Sequence, residues 1–378
     1  MRITIATGPM FPVPPLIGGA VPKIWQGLAE AFVARGHEVT IMARADARQA
    51  ASESLNGVEY RRWGGYNQGR WIYVDLARDL AYALGLRRRL PPADILVTND
   101  FWLPIFAAKS PRSGRVVVNC GRFPKNQYGL YRQASRLAAV SSAVGTAIAE
   151  QTPSVADKIS VLPNPVDTRL FSPPIQRSEQ ALKKMLYVGR IHPEKGLLLL
   201  IDAFKRIAGQ HPDATLQIVG PHDTTQGGGG SKFLRDLKIA ANGFQIEFPG
   251  PIFQNDKLVQ TYHEAGVFCY PSLAEEGEAF GVAPLEAMAT GLMPVVSKLA
   301  CFSDFIYDGV NGRDFDHRQS NPDVALANVL CDVFDRPRLI QELGAAAAVT
   351  AASYDFMTVA DRYLHEFVTL LHEPRSSN

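Results

Sequence analysis

The chain has 378 residues, 46% hydrophobic and 20% charged, with 39 Lys+Arg against 37 Asp+Glu and a net charge of +2. Two or three domains of roughly 150 residues fit that length, each with enough apolar content to bury a core. The charge balance argues against dedicated nucleic-acid binding, and no apolar run approaches the roughly 18 residues of a membrane span.

Met1-Arg-Ile-Thr-Ile-Ala6 begins directly as a strand, without the charged region, apolar run and cleavage site of a secretion signal. A loop with four prolines and the pair Gly18-Gly19 follows, then a helix over 21–35 that breaks at Gly36. Strands are expected at 37–42, 94–98 and 115–119, with His37 structural at the helix-to-strand turn. Between them, 71–90 has amphipathic helical character and ends on Arg87-Arg88-Arg89, with Arg61, Arg62, Trp63 and Trp71 nearby. Residues 1–170 hold 21 Lys+Arg against 12 Asp+Glu, and residues 171–378 hold 18 against 25. Such a basic half suits an anionic surface or a phosphorylated acceptor. The plainer reading is cations placed favourably at a helix C-terminus.

Residues 161–174 are proline-rich and read as a linker. A second strand–helix series starts at Met185, with strands near 215–220, 245–248, 267–270 and 293–297 and a helix over 197–208. Gly227-Gly-Gly-Gly-Ser231 reads as an exposed loop, or as a flap beside a ligand. A last helix covers 354–371. Cys120, Cys269, Cys301 and Cys331 lack metal-like spacing and read as reduced thiols of a cytosolic protein. Alternation of this kind predicts an α/β chain with two doubly wound, Rossmann-like domains.

Two segments carry the chemistry. In Glu278-Ala-Phe-Gly-Val-Ala-Pro-Leu-Glu286, a buried strand (265–270) leads through a loop into a helix over 283–290. The loop therefore lies at the sheet's C-terminal edge, where open α/β sheets bind ligands and helix amides suit phosphates or hydroxyls. Taken alone, two glutamates at this spacing could equally serve a helix terminus and an exposed loop. In Met185-Leu-Tyr-Val-Gly-Arg-Ile-His-Pro-Glu-Lys-Gly196, Arg190 and Lys195 follow a strand. Such a pair suits a diphosphate, Arg as a fork and Lys as a compact charge. Alone they read as solvated surface cations, Lys195 included.

Together these segments resemble the Gly-Arg…Pro-x-Lys-Gly and Glu-x7-Glu signatures of retaining, nucleotide-sugar-dependent glycosyltransferases of family four. Supporting matches include Ala34-Arg-Gly-His-Glu-Val-Thr40, Ala139-Val-Ser-Ser142 and Leu162-Pro-Asn-Pro-Val-Asp167, where Pro165 stands for the usual glycine. The resemblance runs from Ile3 to about Phe315. It implies the GT-B fold, two Rossmann-like domains facing across a cleft with a C-terminal helix crossing back to the first. The expected boundaries are 1–168 for the acceptor side, 169–353 for the nucleotide-sugar side, and 354–378 for the returning helix and tail.

By the same resemblance, Glu278, Arg190 and Lys195 are catalytic. Gly18, Gly19, Arg190, Lys195, Glu278, Phe280, Gly281, Val282 and Glu286 bind the donor, Glu286 through a ribose diol. The family's N-terminal histidines are missing, since no histidine lies between His37 and His192. Asn99, Asp100, Asn119 or Arg122 would have to make any sugar or acceptor contact there. The diphosphate itself can take the acceptor's proton on the same face of the sugar, the protein orienting both substrates. No metal or cofactor is expected, because Arg190 and Lys195 supply the charge, and Asp314-Phe-Asp316 lies far past the ligand loops. Partners would be a nucleotide sugar, a glycan, lipid-linked or small-molecule acceptor and, through the basic half, an anionic membrane. Other readings are a catalytically silent sugar-nucleotide-binding or assembly protein of this fold, or a sugar-nucleotide epimerase.

Overall fold

A computed structural model describes residues 1–16, 19–67, 69 and 71–374, the Ile72 side chain excepted. The chain forms two compact units, Met1–Pro165 with Phe356 onward, and Val166–Asp355.

Among the described residues, the first unit is built on eight strands: β1 (Arg2–Ala6), β2 (Glu38–Ala43), β3 (Ser52–Leu55), β4 (Val58–Arg62), β5 (Ile95–Thr98), β6 (Arg115–Cys120), β7 (Arg136–Ala139) and β8 (Ile159–Val161). Their order is β3-β4-β2-β1-β5-β6-β7-β8, parallel except for the β3–β4 pair. β5 is buried along its whole length, as expected for a strand covered on both faces. The β3–β4 hairpin turns at Asn56-Gly57, both residues at positive φ, the turn whose twist matches the strands it joins.

Helix Phe356–His372 belongs to this unit and packs on helix Ala20–Ala34. Trp25 meets Tyr363 edge-on at 5.8 Å, Phe32 packs on Phe367 at 5.9 Å, and Arg35 pairs with Asp361 at 2.6 Å. Arg62 departs from the expected basic surface. Its side chain is fully buried, bonded to the carbonyls of Val13 and Ala50 and paired with Glu53. Four prolines leave the 7–16 loop short of amide donors, and the Arg62 guanidinium satisfies one of its carbonyls.

The second unit has six strands, all parallel: β9 (Lys184–Val188), β10 (Thr215–Val219), β11 (Ile246–Gly250), β12 (Val267–Tyr270), β13 (Met293–Ser297) and β14 (Arg313–Phe315). Their order is β11-β10-β9-β12-β13-β14. Helix Leu197–Ala208 turns Leu197, Leu200, Ile201, Phe204 and Ile207 into the core, the spacing of one helical stripe. The half-buried Arg177 guanidinium donates to the carbonyls of Tyr262, His263, Ala265 and Thr290. It thereby closes the C-termini of helices Asn255–His263 and Val282–Ala289, whose last carbonyls have no partner within the helix. Burial lowers its pKa to about 10, which leaves it charged at neutral pH.

Candidate active site

In the second unit, Arg190 and Lys195 follow β9, and Glu278 lies in the loop after β12. Gly196, in the left-handed region at φ 67°, packs so close to Pro271 that a Cβ there would collide with its carbonyl. The Leu273 amide donates to the Glu194 carbonyl at 2.8 Å. These contacts lace the two loops together and bring Lys195 Nζ to 2.6 Å from Glu278 Oε2. Lys195 is 4% exposed and Glu278 8%. Lys195 is therefore a buried, paired cation and not the solvated one its residue type suggests. The reason is the turn at His192–Gly196, which folds the side chain under the β12 loop.

Arg190 is more open. Its fork donates to the Gly227 carbonyl and to Glu194 Oε1, each at 2.8 Å. The glycine run departs from the exposed loop expected of it. Gly228 is buried, the Gly229 amide donates to Ile191 and the Gly230 amide to His222, both at 2.8 Å. Side chains are absent there, so the backbone can lie directly against the Arg190 loop.

Gly281 precedes helix Val282–Ala289 at φ 90°, and a Cβ would sit 2.5 Å from the Phe302 ring. The amides of this helix's first turn have no intrahelical acceptor, which suits them to an anion or a sugar hydroxyl. The Phe280 side chain points into the core against Phe305, centroids 5.2 Å apart, so its ligand contact would be through main chain. Glu286 is half-buried one turn into the helix and accepts from the Tyr262 hydroxyl at 3.1 Å. Burial and that carboxylate hold the Tyr262 hydroxyl well above its ordinary pKa.

In the first unit, Gly19 stands at the N-terminus of helix Ala20–Ala34 with φ 107°, and Gly18 lies outside the described residues. Asn99 and Asn119 are brought together, Nδ2 to Oδ1 at 2.7 Å, after β5 and at the end of β6. Arg122 is exposed, and its carbonyl accepts from Tyr128.

Asp100 is no open contact residue. It is buried, and its Oδ1 accepts from the Trp102 and Leu103 amides at 2.9 and 2.7 Å. Its other oxygen faces Asp79, which the sequence reading missed. Asp79 lies on the inner face of a helix that reads as basic and amphipathic, so no sequence signal pairs it with Asp100.

Phe315 of the Asp314-Phe-Asp316 segment is buried, while Asp316 lies 3.7 Å from Arg318. Among the described residues, no group of three or more His, Cys, Asp or Glu side chains could hold a metal ion.

The sequence matches known families along most of the chain. Residues 170–343 match the family described as "Glycosyl transferases group 1", and residues 21–170 match "Glycosyltransferase Family 4". The chain belongs to the family-four glycosyltransferases. Lipopolysaccharide 1,2-N-acetylglucosaminetransferase of Salmonella typhimurium is 29% identical over 182 residues, 47% of this chain and 46% of that protein. Phosphatidyl-myo-inositol mannosyltransferase of Mycobacterium tuberculosis is 30% identical over 215 residues, 55% of this chain and 53% of that protein. The matched region thus spans about half the length of these curated relatives. Anabaena HepE, solved in complex with UDP and glucose, superposes with a TM-score of 0.72 at 17% identity. That match covers 98% of this chain and 100% of HepE, and it shows the shared GT-B fold.

Proposed function

We propose that this family-four member is a retaining hexosyltransferase, moving a sugar from a nucleoside diphosphate to a glycan, lipid-linked or small-molecule acceptor. The observation that carries this reading is the lacing of two loops at one sheet edge. It places Lys195 against Glu278 and holds Arg190 at the rim above the same strands. The chemistry is a substitution at the anomeric carbon. Its bond to the diphosphate oxygen breaks, the acceptor oxygen bonds on the same face, and the acceptor's proton passes to the departing phosphate. Arg190 and Lys195 stabilise the charge that grows on that leaving group, and amides at Phe280, Gly281 and Val282 orient the donor. Glu278 addresses the sugar and Glu286 the ribose. Two fixed cations make a metal unnecessary in this scheme. Asn99 and Asn119 serve the acceptor side.

A panel of UDP-, GDP-, ADP- and dTDP-sugars should raise the melting temperature selectively for one base, with EDTA making no difference. NDP release should follow for the same donor. Binding without turnover would instead indicate a silent sugar-nucleotide protein. Absence of any shift would overturn the reading.

The first unit also carries a surface suited to an anionic membrane, the predicted cytoplasmic and peripheral location. Helix Ile72–Arg89 turns Val74, Ala77, Arg78, Ala81, Leu84 and Arg88 outward, with Trp71 and Tyr73 exposed at its start. Apolar residues beside arginines suit the interface between headgroups and acyl chains. The protein should co-sediment with phosphatidylglycerol vesicles and not with phosphatidylcholine vesicles. Arg87→Glu with Arg88→Glu should abolish this, and retained binding by that variant would refute the surface.

A further inference from the structure

Tyr187 is the penultimate residue of β9 and Tyr270 closes β12, and the two rings stack nearly parallel, 11° between planes and 5.4 Å between centroids. Phe268 continues the stack on Tyr270 at 6.0 Å, and Phe302 meets Tyr270 edge-on at 6.1 Å. Both tyrosines are buried, so their rings are clamped on several sides.

Each tyrosine also bears on the site. The Tyr187 hydroxyl donates to the Arg190 carbonyl at 2.9 Å. Gly189 makes room for it, since a Cβ there would come within 2.6 Å of that hydroxyl. Lys195 Nζ lies 5.4 Å from the centroid of the Tyr270 ring, within reach of a cation–π attraction. The Tyr270 hydroxyl lies near the Glu278 carboxylate. Burial and the nearby carboxylate hold that hydroxyl well above its ordinary pKa, so it stays an O–H donor.

We propose that Tyr187 and Tyr270 are positioning residues for the transfer reaction, a stacked aromatic floor that fixes Arg190 through its main chain and Glu278 with Lys195 through the Tyr270 ring and hydroxyl. The inference rests on the function proposed above. A tyrosine here differs from any other core aromatic by its hydroxyl. Phenylalanine would fill the same space and keep the stack, yet would free the Arg190 carbonyl or remove the hydroxyl beside Glu278.

Tyr270→Phe and Tyr187→Phe test this. The probe is whichever of UDP, GDP, ADP and dTDP most stabilises the parent, and turnover is release of that nucleotide from its sugar conjugate. Losing the polar group beside the Lys195–Glu278 pair should slow Tyr270→Phe about 10-fold or more in kcat. Its nucleotide affinity should stay within about 2-fold and its melting temperature within about 3 °C, because ring packing is intact. Tyr187→Phe should instead weaken nucleotide binding several-fold, because it loosens the segment that carries Arg190. A Tyr270→Phe kcat within about 2-fold of the parent overturns the proposal. So does a loss of kcat that merely tracks a loss of nucleotide affinity and melting temperature. Failure of the functional reading shows earlier and separately, as a parent protein that neither binds nor releases any of these nucleotides, and the positioning role falls with it.

Discussion

Lys195→Ala should lower turnover by about 10²- to 10³-fold, the usual cost of removing one preorganised group from a developing negative charge. It should also lower the melting temperature. A solvated cation would contribute almost nothing to stability, but Lys195 is 4% exposed and pairs at 2.6 Å with a glutamate that is 8% exposed. Removing it leaves Glu278 buried without its counter-charge, a change that typically costs about 3–5 kcal/mol. A carboxylate that can turn toward solvent on its loop recovers part of this, so roughly 2–3 kcal/mol is the expected loss. Adding Glu278→Gln to Lys195→Ala removes the stranded charge. The double variant should regain most of the lost stability and none of the lost turnover. Melting curves and NDP-release rates for the wild type and the two variants separate the two roles. A Lys195→Ala protein that melts with the wild type would refute the buried pair. Turnover restored in the double variant would refute the role at the diphosphate.

The architecture was legible where burial leaves its mark on residue order. β12 and β13 coincide with continuous apolar runs because parallel strands covered on both faces need no polar alternation. Helix Leu197–Ala208 coincides with its apolar stripe. β3 escaped notice because Ser52-Glu-Ser-Leu55 is mostly exposed and polar, an edge strand held by its hairpin turn. β7 and β8 are too short to show a period. At the site, the sequence separates Lys195 from Glu278 by 83 positions. Their pairing depends on Gly196 packing under Pro271, a contact that no local pattern announces. The stacked tyrosines were invisible for a related reason. Each reads as an ordinary aromatic ending an apolar strand, and only the order of β9 beside β12 sets them face to face.

Asp79→Asn should stabilise the protein at pH 8 by on the order of 2 kcal/mol and have little effect near pH 4. Asp79, on helix Ile72–Arg89, and Asp100, after β5, are both buried and face each other. Two ionised carboxylates cannot share such a space, and a proton held between them supplies the missing donor for Asp100 Oδ2. Burial raises the Asp79 pKa to about 6, and burial with the Asp79 charge raises that of Asp100 well above the usual range. Burial and the charge of these carboxyls keep the nearby Tyr66, Tyr82 and Tyr131 hydroxyls neutral, and Arg78 lies over the Tyr66 ring at 5.9 Å. Between about pH 4, where the unfolded carboxyls titrate, and pH 6, the folded state binds more protons than the unfolded one. Stability contributed by the shared proton is therefore complete at acid pH and declines as pH rises through that window. Asparagine keeps the shape of the side chain, can donate to Asp100, and cannot ionise. The wild-type melting temperature should fall between pH 5 and pH 8 relative to that of Asp79→Asn. Parallel melting profiles for the two proteins across this range would mean that the carboxyls do not share a proton. The same geometry removes Asp100 from the exposed surface, so in the proposed reaction Asn99, Asn119 and Arg122 are the residues left to test for acceptor contact.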